Sequence, residues 1–181
     1  MHKSIYIAVV LLIAVAAILA WAFLSGSDKA SSPSGGPGGR IAYETYEDQD
    51  RGITFQYPIE LGTVYLEAYD WPPMAQVIDE PFNCTEGGDP TARAGGTELR
   101  MVDNHQYCRT SIVEGAAGSI YTQYAYKFTV GEDQAAILTF STRVPQCGNY
   151  DEQERVQCEG EREAFDIDST VDEITQTFQI Q

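Results

Sequence analysis

The residues in this 181-residue chain whose type and spacing most directly predict chemistry are Cys84, Cys108, Cys147 and Cys158. Four cysteines allow three pairings. Cys147 and Cys158 flank a polar segment, and a bridge closing a loop of about twelve residues removes about 3 kcal/mol of unfolded-state freedom in the chain-entropy model. Cys84 then pairs with Cys108, tying a glycine-rich loop to a strand. The competing chemistry is a zinc site made of His105, Cys108, Cys147 and Cys158. Zinc sites usually present closely spaced ligand pairs, and Cys147 and Cys158 stand too far apart for that pattern. Two disulfides are the expectation, with no metal and no cofactor.

Other reactive groups carry weaker signals. Nucleophilic catalysis needs a base beside the nucleophile. Only two histidines occur, His2 and His105, and no Gly-x-Ser-x-Gly elbow marks a partner for the second. Glu114-Gly115-Ala116-Ala117-Gly118-Ser119 lacks the terminal Gly-Lys-Ser/Thr of a phosphate loop and reads as a tight turn. Asp48-Gln49-Asp50 offers oxygen ligands without the spacing of a calcium loop. The pairs Glu161/Glu163 and Asp166/Asp168 say little about catalysis in a chain with 27 acidic residues against 11 basic ones. The net charge of −16 leaves few cations to displace counterions from phosphates, so nucleic acid is excluded as a partner.

The elements that must position these groups begin with a membrane anchor. Ile5–Leu24 is apolar throughout and, at 1.5 Å per residue, spans about 30 Å, the thickness of a bilayer core. A cleavable signal usually carries a shorter apolar run, so an uncleaved anchor is expected over a removed signal peptide. Leu24-Ser25-Gly26-Ser27 resembles a lipoprotein box with serine where the lipidated cysteine would stand. The positive-inside count hardly discriminates, with Lys3 on one side and Lys29 and Arg40 on the other. Cysteines confined beyond residue 80 favour an oxidising compartment. Residues 1–4 are therefore expected in the cytoplasm, 5–24 in the cell membrane as a single pass, and the remainder outside.

Residues 25–40 are dominated by glycine, serine and proline and read as a flexible tether with a reach of about 20–24 Å. Lys3, Lys29, Arg40 and Asp28 all precede residue 41, leaving 8 basic and 26 acidic residues in 41–181. So acidic a domain repels anionic lipid, and contact with the bilayer rests on residues 5–24.

Within 41–181 short β-prone runs predict strands at Tyr43–Glu47, Ile53–Tyr57, Ala75–Ile78, Thr97–Val102 and Gln106–Val113, and a period-two alternation predicts one at Val64–Tyr69. Trp71-Pro72-Pro73 ends the Val64–Tyr69 run, because proline removes a ladder donor. The clearest signal is a hairpin of Ile120–Val130 with Ala135–Val144 around Gly131-Glu132-Asp133-Gln134. Its tyrosines are expected to pack in the core. Asp151–Phe165 reads as a helical or irregular excursion with a solvated acidic face. Thr170-Val171-Asp172-Glu173 fits a capping box, with Val171, Ile174 and Phe178 on one face of a closing helix.

Two of these segments carry a family likeness. Tyr43–Glu47 with Gly52-Ile53-Thr54-Phe55-Gln56-Tyr57-Pro58 resembles the first hairpin of PsbP-like domains. Val171–Ile180 resembles the closing helix of their bacterial secreted relatives, while the cysteine-bearing centre is similar to single-span bacterial envelope proteins. The resemblance implies an α+β sandwich, an antiparallel sheet packed by short helices, and transfers no catalytic residue, since the fold serves non-enzymatic subunits. The expected function is a non-enzymatic binding or accessory module for a protein or envelope component. The alternative is an envelope hydrolase using acidic residues.

Overall fold

The computed structural model describes residues 42–181. The expected cytoplasmic segment 1–4, membrane span 5–24 and tether 25–40 lie outside the described residues. Among the described residues, no helix is long and apolar enough to cross a membrane.

The chain opens with the expected hairpin, β1 (Tyr43–Asp48) and β2 (Ile53–Pro58). Tyr43 lies opposite Pro58 and Asp48 opposite Ile53. Alternation buries Ile53, Phe55 and Tyr57 of β2 and exposes Gln56, as the period of a pleated strand dictates. The Asp48 carboxylate accepts the Arg51 backbone N–H at 3.1 Å and its guanidinium at 3.3 Å, so it is spent on closing the turn. The last strand of the chain, which becomes β10 (Gln179–Ile180), pairs with the other side of β2 and completes a three-stranded sheet.

A larger antiparallel sheet contains β3 (Glu67–Ala68), β4 (Met74–Ile78), β5 (Gly87–Gly88), β6 (Gly96–Val102), β7 (His105–Ala116), β8 (Ser119–Thr129) and β9 (Ala135–Pro145). Its order is β3-β9-β8-β7-β6-β5, with β4 pairing the same edge of β9 as β3. β3 meets Thr142 and Arg143, and β4 meets Ala135 through Thr139. The long hairpins turn at Asp103-Asn104, with φ of 44° and 72°, and at Ala117-Gly118, with φ of 48° and 75°. Two successive left-handed residues suit the right-handed twist of the flanking strands. The tight turn expected within Glu114–Ser119 is confined to Ala117-Gly118, with β7 running up to Ala116 and β8 starting at Ser119. One face of β7–β9 buries Tyr107, Tyr126, Phe128, Ala136, Leu138 and Phe140, the face the tyrosine alternation predicts.

After a 3-10 turn at Cys147–Asn149 come two α-helices, α1 (Glu152–Ala164) and α2 (Ile167–Gln176). The fold is mixed α+β with antiparallel sheets. Asp151 caps α1 by accepting the N–H groups of Gln153 and Glu154, satisfying two orphan donors. Cys158 is the one buried residue of α1, so its acidic faces are solvated as expected. The buried face of α2, Ile167, Val171 and Ile174, joins Phe55, Tyr107 and Leu138 in a single core. Phe178 stacks on Phe55 at 5.8 Å and meets Phe128 edge-on at 5.3 Å, locking the small sheet to the large one.

Two local expectations are corrected. The Val64–Tyr69 run is strand only at Glu67–Ala68, and Val64 is 81% exposed. The segment folds back on itself, with Thr63 N–H bonding Leu66 C=O and Ala68 N–H bonding Leu61 C=O, so Leu66 is buried by a turn and not by strand alternation. The closing helix starts a turn before Thr170. Asp166 is its N-cap, accepting Ser169 N–H at 3.2 Å, while Thr170 bonds back to the Asp166 carbonyl. Asp166-x-x-Ser169 meets the same capping need as the expected box and reaches the orphan donors first.

Candidate functional site

The structure brings the four cysteines together as two disulfides, Cys84–Cys108 and Cys147–Cys158. Every thiolate the zinc alternative needs is consumed by these bonds. Among the described residues, no group of three His, Cys, Asp or Glu is placed to hold a metal. The Cys84 bridge holds the 81–88 loop against β7, where Asn83 also accepts from Lys127 at 2.7 Å and Glu86 from the Leu99 N–H at 2.9 Å.

Two carboxylates that carried no sequence signal prove central. Asp168 and Asp172 lie a helical turn apart on the buried face of α2. Asp168 accepts from Arg100 at 2.7 Å, Arg109 at 3.0 Å and the Tyr126 hydroxyl at 2.6 Å. Asp172, 2% exposed, accepts from Tyr107 at 2.5 Å, His105 Nδ1 at 2.7 Å and Gln176 at 2.6 Å. Burial pushes the Tyr126 and Tyr107 phenols well above their ordinary range, and the adjoining carboxylates push them further. Buried charges persist only when paired and fully hydrogen-bonded. Both sets meet that condition and clamp α2 to β6–β8. His105 therefore serves as a partner of Asp172 at the start of β7.

This clamp makes stability depend on acid. Burial alone would raise the Asp172 carboxyl, but hydrogen bonds from Tyr107, His105 and Gln176 outweigh it and hold the group below its ordinary value. A carboxyl depressed by folding contributes stability that is full above its unfolded value near pH ~4 and is lost as pH falls through the folded value. Urea midpoints measured from pH 7 to 3 should fall less steeply below pH 5 for Asp172→Asn than for the native chain. Asp89 and Asp166, lowered by hydrogen bonds from Thr91 and Ser169, leave a residual slope in both. Equal slopes would remove Asp172 from this account.

α2 takes up part of the inner face, and the strand edges offer further surface. Unpaired strand edges are usually guarded by charge, shortness or cover. β1 carries Glu44, Glu47 and Asp48, and β5 and β10 are two residues each. β4 differs: its five residues, Met-Ala-Gln-Val-Ile, carry no charge and, among the described residues, pair with β9 alone. Along it runs a groove of about 680 Å³ whose apolar lining includes Met74 and Val77 of this strand, Ile53 of β2 and Ile180 of β10. Arg51, Asp79 and Gln134 supply its polar groups. Met74 is 64% exposed, so apolar surface as well as unpaired backbone is on offer. The sequence identifies Ala75–Ile78 as a strand, but its place at an edge depends on which strand β9 accepts, and no local pattern encodes that.

No family model matches the chain, and no curated protein matches it. A solved structure from Bacteroides thetaiotaomicron aligns over 77% of this chain and 42% of its own, at 11% identity and a TM-score of 0.32. This chain therefore spans less than half the length of the protein it is similar to, and so distant a likeness assigns neither fold family nor function.

Proposed function

We propose that residues 41–181 form a non-enzymatic extracytoplasmic binding module, held at the cell membrane by residues 5–24, that takes an extended segment of a partner protein as an added strand along β4. The observation that carries the reading is the uncharged, unpaired edge of β4 beside its groove. Strand addition draws affinity from main-chain hydrogen bonds and selectivity from pockets for alternate side chains. The hydrolase alternative finds less support, because Asp168 is held between two guanidinium groups and is committed to that pairing. The apolar run Ile5–Leu24 and the disulfides support the compartment. The β1–β2 hairpin and α2 support likening the domain to the PsbP-like sandwich.

A photo-crosslinking residue in place of Gln76, used in spheroplasts, tests partner and side of the membrane together. The expected result is a discrete crosslinked protein that external protease removes, and that either Met74→Lys or Met74→Glu abolishes without changing the melting temperature, Met74 being 64% exposed. Crosslinks unaffected by these charges would overturn strand addition. Full protection from protease would overturn the placement.

A further inference from the structure

The inner face of the large sheet is only partly covered by α2. Arg109 of β7 and Tyr126 of β8, cross-strand neighbours, lie under Asp168. Toward the Ala117-Gly118 turn, the rows Ser111–Tyr124 and Val113–Thr122–Thr142 follow on the same face. Above them is a cavity of about 440 Å³ instead of a packed helix, roofed by Arg162 and Phe165 where α1 gives way to α2.

Its chemistry is divided. Val113, Ile120, Val144 and Phe165 make apolar walls. On the floor, Thr122 and Thr142 are direct cross-strand partners, and Tyr124 lines the same cavity. The charge of the lining runs against that of the domain. Residues 41–181 hold 26 acidic and 8 basic residues, yet the lining contains two arginines, Arg109 and Arg162, and no carboxylate. Arg109 is offset from behind by Glu98 and Asp168. Arg162 is exposed at the mouth and forms no ion pair among the described residues. Volume, apolar walls and a few convergent polar groups are the attributes of small-molecule sites.

We propose that this cavity binds a small amphipathic organic anion, with its carboxylate at Arg162, its apolar body against Val113, Ile120 and Phe165, and a polar substituent on the Thr122–Thr142 floor. The anionic end is selected because a guanidinium without a competing carboxylate gives a charge-assisted bond. The site is on the opposite face of the sheet from Met74 and does not depend on strand addition at β4.

The test titrates 1-naphthylacetate, and its neutral analogue 1-naphthylacetamide, into the full chain in lipid nanodiscs by calorimetry, with empty nanodiscs subtracted. Saturable one-site binding of the acid is expected, with the amide and Arg162→Gln each weakening it about tenfold, the usual worth of one hydrogen bond to a charged group. Arg162 is exposed, so its variant should melt like the native chain. Thr142→Val should weaken acid and amide alike, and Met74→Lys neither. Equal binding of acid and amide, an unchanged affinity in Arg162→Gln, or no saturable binding would each overturn the proposal.

Discussion

Replacing Asp168 by alanine is expected to cost the domain about 3–5 kcal/mol, the range for removing one partner of a buried charge set. The loss is large because the carboxylate is shared. Without it, Arg100 and Arg109 have only Glu98 to share as a counter-charge, and the buried Tyr126 hydroxyl loses its acceptor. A domain of ordinary stability has about 5–15 kcal/mol in total, so the variant should unfold at a much lower urea concentration, followed by the fluorescence of Trp71 in its aromatic cluster. The quadruple change Asp168→Leu, Arg100→Met, Arg109→Met, Glu98→Gln should recover part of the deficit, because it removes the surplus positive charge together with the Glu98 carboxylate that pairs with both arginines. A single variant within about 1 kcal/mol of native, the worth of an exposed pair, would mean that the cluster behaves as a surface ion pair.

The second large effect belongs to the disulfides, and the two should fail differently. In the chain-entropy model the Cys84–Cys108 bridge, with a sequence separation of 24, contributes about 3.5 kcal/mol, and Cys147–Cys158, with a separation of 11, about 3 kcal/mol. Each double serine variant should melt about 10 °C lower. Loss of Cys147–Cys158 should also release α1 alone, since Cys158 is the one residue that helix buries. Hydrogen exchange should then accelerate across Glu152–Ala164 while β7–β9 stay protected. Non-reducing peptide mapping should find both bridges, and chelator should leave the native melting curve unchanged. Exchange that accelerates uniformly would make α1 an integral part of the cooperative core.

How far the sequence reveals this molecule depends on the range of each interaction. The β8–β9 hairpin is legible because its apolar alternation and its short polar turn lie within one window of chain. The Cys147–Cys158 bridge is legible for the same reason. Asp168 and Asp172 are not, because acidic residues four apart on a helix look the same whether they face water or guanidinium groups. Their partners Arg100, Arg109, His105 and Tyr107 lie 59 to 68 residues away. The capping error at Thr170 has another cause: two equally good local motifs overlap by one turn, and the burial of Ile167 favours the earlier one. The β4 edge follows from sheet order, and sheet order is set by packing across the whole chain.

The attachment of β1 decides how the domain responds to force. Among the described residues β1 pairs with β2 alone, and the chain enters it at Tyr43, directly opposite Pro58 at the end of β2. A pull exerted through the residues before Ala42, while the rest of the domain is held, loads these pairs one at a time from that end. Strands loaded in this way unzip at low tension, whereas strands drawn along their length must break their bonds together. The first links to part would be the Ile59 N–H to Ala42 carbonyl bond and the Tyr43 hydroxyl to Glu173 bond. Peeling the six residues of β1 pays out about 20 Å of chain at ~3.3 Å per residue. The large sheet and both disulfides stay outside the loaded path, so β1 acts as a built-in slack that yields before the rest of the domain is strained.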